Sequence, residues 1–263
     1  MKKAKELSEK LYKEAKEDPN IMGFFFSGSR GKGRANKHSD YDLRMVVKDD
    51  VAETYKDTYY PLDDHPQIDL HVFSYSAFKE FAQLGTPKEG FKYSFAHVEA
   101  LVDKNGKIQE LIEEKARIPR EKCDAYIAER LDAYLNQVYR SLKCLRDNQP
   151  FAARLEAAAS IPYFLDVIFA VHDGRVRPYY KYLRWELENY PLAKVPMEAT
   201  ELLASVRNVL DTADVKTQQK LLKLTENLCR KEGYGETLDS WGKDLHWMKT
   251  YDRESSAEEN EHA

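Results

Sequence analysis

Asp40, Asp42 and Asp69 are the residues of this sequence best suited to chemistry by type and spacing. Asp40 and Asp42 stand two apart in DYDLRMVV, where Tyr41, Leu43, Met45 and Val47 alternate with Asp40, Asp42 and Arg44. Residues two apart on a strand project from the same face. Asp69 lies in IDLHVF, a second alternating stretch whose polar face carries Asp69 and His71. Pairing these two stretches as neighbouring strands brings the three carboxylates onto one surface. Clustered carboxylates repel unless a cation neutralises them. Oxygen-only ligands select a hard ion, Mg²⁺ or Mn²⁺. Two such ions, about 3.5–4 Å apart, clamp the attacking and leaving oxygens of an in-line phosphoryl displacement.

The segment upstream supplies the complementary half. Ser27-Gly28-Ser29-Arg30-Gly31-Lys32-Gly33-Arg34 follows directly on the apolar run Ile21 to Phe26. A Gly-Ser turn leaving a strand aims backbone N–H groups and a hydroxyl at phosphate oxygens. Arg30, Lys32, Arg34 and Lys37 follow Ser29, with no acid before Asp40. That makes a local anion site on a chain whose formal net charge is -4.

The pattern resembles the nucleotidyltransferase superfamily of DNA polymerase beta. The matching residues are Gly28-Ser29, nine intervening residues, then Ser39-Asp40-Tyr41-Asp42, with a third carboxylate at Asp69. The resemblance covers about residues 20–75. The layout of a small catalytic domain followed by helices is similar to the antibiotic nucleotidyltransferases that modify aminoglycosides or lincosamides. The resemblance implies transfer of a nucleoside monophosphate from a Mg²⁺- or Mn²⁺-bound NTP, ATP by family default, to a hydroxyl of a small molecule, with release of pyrophosphate. It assigns Asp40 and Asp42 to the metal, and Asp69 to the metal, to the proton of the acceptor hydroxyl, or to both. Gly28 and Ser29 are assigned to the β- and γ-phosphates, with Arg30 and Ser39 grouped beside them. All three acids are present, which argues against a relative that has lost catalysis. Two alternatives follow from the same residues: an AMP-transferase of antitoxin type that modifies a protein, and a nucleotide-binding module without turnover.

The elements that must position these residues follow from periodicity. Ala4, Leu7, Leu11 and Ala15 recur at helical spacing and Asp18-Pro19-Asn20 ends that helix. Strands are expected over Ile21–Phe26, Asp40–Val47, Ile68–Phe73 and Phe95–Val102, with short helices over 51–60 and 75–84 and a further helix over 108–117. On the fourth expected strand, His97 and Glu99 oppose Ala96, Val98, Ala100 and Val102. That alternation makes Glu99 a candidate general base beside the Asp cluster. His71 either lines the site or is a hydrogen-bonded structural histidine.

After Pro119 only helical patterns appear: about 123–148, 151–172 with a kink at Pro162, 178–189, 197–211, 214–231 and 236–250. The fold class is therefore α+β, a small mixed sheet with flanking helices over 1–118, followed by an all-α bundle over 119–252. An acidic, disordered tail is expected over 253–263. The stretch RVRPYYKYLRWELENYP is dense in aromatics and cations. In antibiotic nucleotidyltransferases such helices close over the nucleotide, which makes Lys181, ahead of Arg184, the candidate for the triphosphate. Tyr179, Tyr180, Tyr182 and Trp185 read first as packing residues. Glu156, Asp166, Glu186 and Glu188 are acids able to attract a cationic acceptor.

Bulk properties exclude several classes. The chain has 263 residues, 41 basic against 45 acidic, so no stable nucleic-acid partner is expected. Three widely spaced cysteines suggest neither a disulfide framework nor a zinc site. Residues 157–171 contain Pro162 and Asp166 and are too short to span a bilayer, and the N-terminal stretch is charged throughout. A soluble cytoplasmic protein, monomer or homodimer, is the expectation.

Overall fold

The computed structural model describes residues 2–59, 62 and 65–252. The tail expected over 253–263 lies outside the described residues. The chain divides into two compact units, Met1–Ile118 and Pro119–Ala263.

The first unit is built on a four-stranded mixed sheet, in the spatial order β3 (Ile68–Ser74), β2 (Tyr41–Val47), β1 (Ile21–Phe26), β4 (Val102–Asp103). Helix α1 (Lys2–Glu17) leads into β1 (Ile21–Phe26). A one-turn helix, α2 (Gly28–Gly31), and an irregular loop connect it to β2 (Tyr41–Val47). Helix α3 (Ala52–Tyr59) crosses over to β3 (Ile68–Ser74), which pairs with β2 in parallel. Such a parallel pair needs a crossover of this kind. Next come α4 (Tyr75–Glu80), a 3₁₀ segment (Glu89–Phe95), β4 (Val102–Asp103) and α5 (Lys107–Lys115).

Strand alternation gives the sheet two faces of different character. Phe24, Leu43, Met45, Leu70 and Val72 pack with Ala4, Leu11 and Ala15 of α1 and with Tyr59 of α3. The opposite face is apolar at one end only. There Phe25, Val46 and Phe73 pack beneath Phe78 of α4, Phe95, and Ile108 and Ile112 of α5. Gly23 allows this approach, because a Cβ there would lie 2.6 Å from the Ile108 side chain. At the other end the same face carries Asp42 and Arg44 of β2 and Asp69 and His71 of β3, none of them buried. One sheet surface thus serves as core at one end and as a polar surface at the other.

The strand expected over 95–102 does not form; β4 is only Val102–Asp103. The alternation of Ala96, Val98, Ala100 and Val102 is real in sequence, but tertiary contacts override it. His97 has φ 58, in the left-handed region, which breaks an extended chain. The carbonyls of Tyr93, Ser94 and Ala96 accept from the buried Lys32 ammonium, which holds the start of this segment away from the sheet. Lys115 acts in the same way, donating to the carbonyls of Lys79 and Phe81 at 2.8 Å each. Lys32 thus satisfies backbone carbonyls at 93–96 and Lys115 those at the end of α4, two stretches outside the sheet.

The second unit is helical: α6 (Arg120–Arg146), α7 (Pro150–Ala170), α8 (Leu183–Asn189), α9 (Ala199–Thr212), α10 (Val215–Lys231), α11 (Gly235–Asp239) and α12 (Gly242–Thr250). Leu131, Leu135, Val138 and Leu142 of α6 share a core with Ala157, Phe164, Leu165 and Ile168 of α7. The rings of Tyr134 and Phe164 lie 5.6 Å apart. Helix α7 is mostly buried and continues through Pro162. The segment expected as one helix over 178–189 begins as a 3₁₀ turn, Tyr180–Tyr182. The one expected over 236–250 is split before Gly242, whose φ is +46. All three cysteines are free, and burial pushes the Cys229 thiol up to about 12. Among the described residues no helix is long and apolar enough to cross a membrane.

Candidate functional site

The polar end of the sheet is assembled from the β1–β2 connection and the first residues of β2 and β3. The chain leaves β1 through Ser27, whose N–H donates to the Asp42 carbonyl at 2.8 Å. Gly28 then adopts φ +57, a region that costs other L-residues about 1–2 kcal/mol. A Cβ on Gly28 would fall 1.8 Å from Oδ2 of Asp42. The Asp42 carboxylate thus occupies the space of the missing side chain, so the acid lies directly against the glycine turn. Gly31 is needed for a separate reason, since a Cβ there would lie 2.1 Å from the Phe26 carbonyl.

The first N–H groups of a helical turn have no acceptor within it, which leaves those of Gly28, Ser29 and Arg30 as donors for a ligand. The hydroxyls of Ser29 and Ser39 meet at 3.2 Å, and Ser39 Oγ also accepts from the Asn36 N–H at 2.9 Å. Arg30 closes the connection. Its Nε donates to the Asp40 carbonyl at 2.7 Å and its Nη2 to the Ser39 carbonyl at 2.8 Å. Its guanidinium also lies over the Tyr41 ring, 3.7 Å from the centroid. In this arrangement Arg30 fixes the loop to the start of β2, and Ser29 is held against Ser39.

The parallel register sets Asp42 directly beside Asp69. Asp40 is exposed, one residue before β2. Asp69 is held by Arg44, whose Nη2 lies 3.1 Å from Asp69 Oδ2. Arg44 Nη1 donates to the carbonyls of Leu43 at 2.8 Å and Asp69 at 3.2 Å. Sequence reasoning placed Arg44 on the face of Asp40 and Asp42 but gave it no role. Its partner becomes visible only once the β2–β3 register is known.

Among the described residues no group of three or more His, Cys, Asp or Glu is gathered closely enough to hold a metal ion. A two-carboxylate site still suits a hard divalent ion. Mg²⁺ commonly binds through one or two carboxylates, with waters and phosphate oxygens completing its shell. Asp40 and Asp42, two residues apart and with Asp42 against the Gly28 turn, are the residues that would hold such an ion.

Other sequence candidates fall elsewhere. Lys32 is withdrawn from the expected anion site, because its ammonium is buried and donates to carbonyls. Glu99 does not share a strand face with the Asp cluster; it is exposed on the irregular segment preceding β4. The adjacent Val98 side chain lies against the space above Gly31, so this segment borders the loop. His71 packs its ring on Phe73, with centroids 4.1 Å apart, and stays exposed.

Lys181 lies in the second unit, exposed on the 3₁₀ turn with its Nζ 4.9 Å from the Tyr182 ring centroid. Tyr182 and Trp185 do pack: Tyr182 is buried, and Trp185 lies edge-on to Tyr182 and Tyr190. The four acids considered for a cationic acceptor are all ion-paired. Glu156 pairs with Arg140, Asp166 with Arg177, Glu186 with Arg175 and Glu188 with Arg184. Desolvation raises the Asp166 carboxyl above its ordinary range against the opposing pull of Arg177.

Among solved structures, the chain is similar to a nucleotidyltransferase-like protein from Exiguobacterium sibiricum 255-15, at 11% sequence identity and a TM-score of 0.43. The similarity covers 90% of this chain and 77% of the other. No protein-family model and no curated protein matches the chain.

Proposed function

We propose that the protein transfers a nucleoside monophosphate from an NTP, ATP in the first instance, to a hydroxyl of a small molecule and releases pyrophosphate. The observation carrying this reading is the contact of the Asp42 carboxylate with the Gly28 turn. Phosphoryl transfer asks a protein for positioning and charge neutralisation rather than covalent chemistry. The N–H groups of Gly28 and Ser29 and the Ser29 hydroxyl hold the β- and γ-phosphates. Asp40 and Asp42 would hold Mg²⁺ or Mn²⁺, which when bound neutralises phosphate charge. Asp69, with one oxygen engaged by Arg44, accepts the proton of the acceptor hydroxyl. Arg30 keeps the loop in register by gripping the carbonyls of Ser39 and Asp40.

Aminoglycosides and lincosamides are the first acceptors to test. Glu156, Asp166, Glu186 and Glu188 are each engaged by an arginine, so these four do not single out a polycationic acceptor, and both classes are tested. The test is mass spectrometry of protein incubated with Mg²⁺, mixed NTPs and both antibiotic classes. A product heavier by one nucleotidyl group supports the reading. Labelled AMP on a protein band moves the acceptor to a protein. Saturable NTP binding without pyrophosphate from any acceptor refutes transfer.

A further inference from the structure

We propose that Arg44 is a positioning residue that keeps Asp69 out of the metal's coordination shell, so that a divalent ion binds through Asp40 and Asp42 alone. This deepens the nucleotidyl-transfer reading and rests on it. The argument starts from register. Asp42 and Asp69 face each other across a parallel pair and point to the same side. Two neighbouring carboxylates without a counter-ion disfavour each other's ionised form.

The chain supplies that counter-ion itself. Arg44, two residues after Asp42 on the same face, reaches back along β3 rather than out to water. Its side chain is 18% exposed while that of Asp69 is 59% exposed, so the cation is the better-packed partner. Three acceptors fix it: Asp69 Oδ2, the Asp69 carbonyl and the Leu43 carbonyl. A guanidinium held at several points is pre-organised and permanently charged. With Asp69 so engaged, no group of three acids among the described residues is gathered for a metal. The sheet therefore needs no ion to relieve repulsion between β2 and β3, and Asp69 keeps one oxygen for proton transfer.

The test is Mn²⁺ affinity, read by electron paramagnetic resonance of free Mn²⁺ in the absence of nucleotide. Four proteins are compared: the parent, Arg44→Gln, Arg44→Gln/Asp69→Asn and Asp42→Asn. Releasing Asp69 is expected to tighten Mn²⁺ binding at least about tenfold in Arg44→Gln, because affinity for a hard cation rises with the number of charged oxygen ligands. That gain should vanish in the double variant, since it depends on the Asp69 carboxylate. Unchanged or weaker binding in Arg44→Gln, or a gain that survives Asp69→Asn, overturns the proposal. Arg44→Met repeats the test if the glutamine variant does not fold. Asp42→Asn separates the two levels of the argument. A loss of at least about tenfold upholds the metal site itself, whereas parental affinity means that the site reading fails and this proposal with it.

Discussion

Replacing Gly28 by alanine tests whether the glycine turn and the acid form one site. The change has two costs that the structure separates. The first is backbone strain at φ +57, about 1–2 kcal/mol for an L-residue. The second is steric. The new methyl would lie 1.8 Å from Asp42 Oδ2, and ordinary contact begins near 3.4 Å, so the carboxylate must retreat by 1.6 Å. A misplacement of about 1 Å in a reacting constellation costs about a hundredfold in rate. Gly33 provides the control, because its φ is +65 yet nothing lies within 4 Å of a Cβ there. Gly33→Ala thus pays the strain without the clash. Gly33→Ala should lose about 1–2 kcal/mol in urea denaturation, and Gly28→Ala at least that much. Only Gly28→Ala should also lose Mn²⁺–ATP affinity, by about 10–100-fold in isothermal titration, as expected when the support of a metal ligand is removed. Equal affinities for the two variants would refute the claim that Asp42 and the Gly28 turn act together.

Lys32→Met should destabilise the protein by about 2–3 kcal/mol in urea denaturation, because it strands the carbonyls that Lys32 now satisfies. A loss under about 0.5 kcal/mol would make the anchoring incidental. Burial, reinforced by Lys92, lowers the Lys115 ammonium to about 8 from 10.5. Between those values the unfolded chain binds the extra proton, so stability should rise with pH from about 8 to 10.5, by at most about 3.4 kcal/mol from this group. The slope should disappear in Lys115→Met when the two proteins are compared by denaturation at each pH. In the helical unit, Arg177→Met leaves the Asp166 carboxylate, 9% exposed, without its 2.7 Å partner. A loss of about 3–5 kcal/mol is expected, with the double variant Arg177→Met/Asp166→Leu less affected than the single one in the same denaturation assay.

The strands that carry the acids were legible because each has one apolar and one polar face. Leu43 and Met45 are buried while Asp42 and Arg44 are not, and Ile68 and Leu70 are buried while Asp69 and His71 are exposed. The alternation that correctly marked β2 and β3 failed at residues 95–102. At its start the carbonyls of Tyr93, Ser94 and Ala96 accept from Lys32, more than sixty residues earlier in the chain, and no local pattern records such a contact. For the same reason Lys32 counts in sequence as one of four cations of an anion site: within its loop it looks like Arg34 and Lys37, and only its burial distinguishes it. The helical acids looked available because their partners come from other turns. Asp166 meets Arg177 and Glu186 meets Arg175 across eleven residues, a distance that folding closes and composition does not reveal.

The most direct test of the central claim is a crystal structure with Mn²⁺ and a non-hydrolysable ATP analogue, with the metal located by anomalous scattering. The account predicts a Mn²⁺ peak bridging the carboxylates of Asp40 and Asp42, and the β- and γ-phosphates against the N–H groups of Gly28 and Ser29. A nucleotide bound elsewhere, or a metal that touches neither Asp40 nor Asp42, would contradict it.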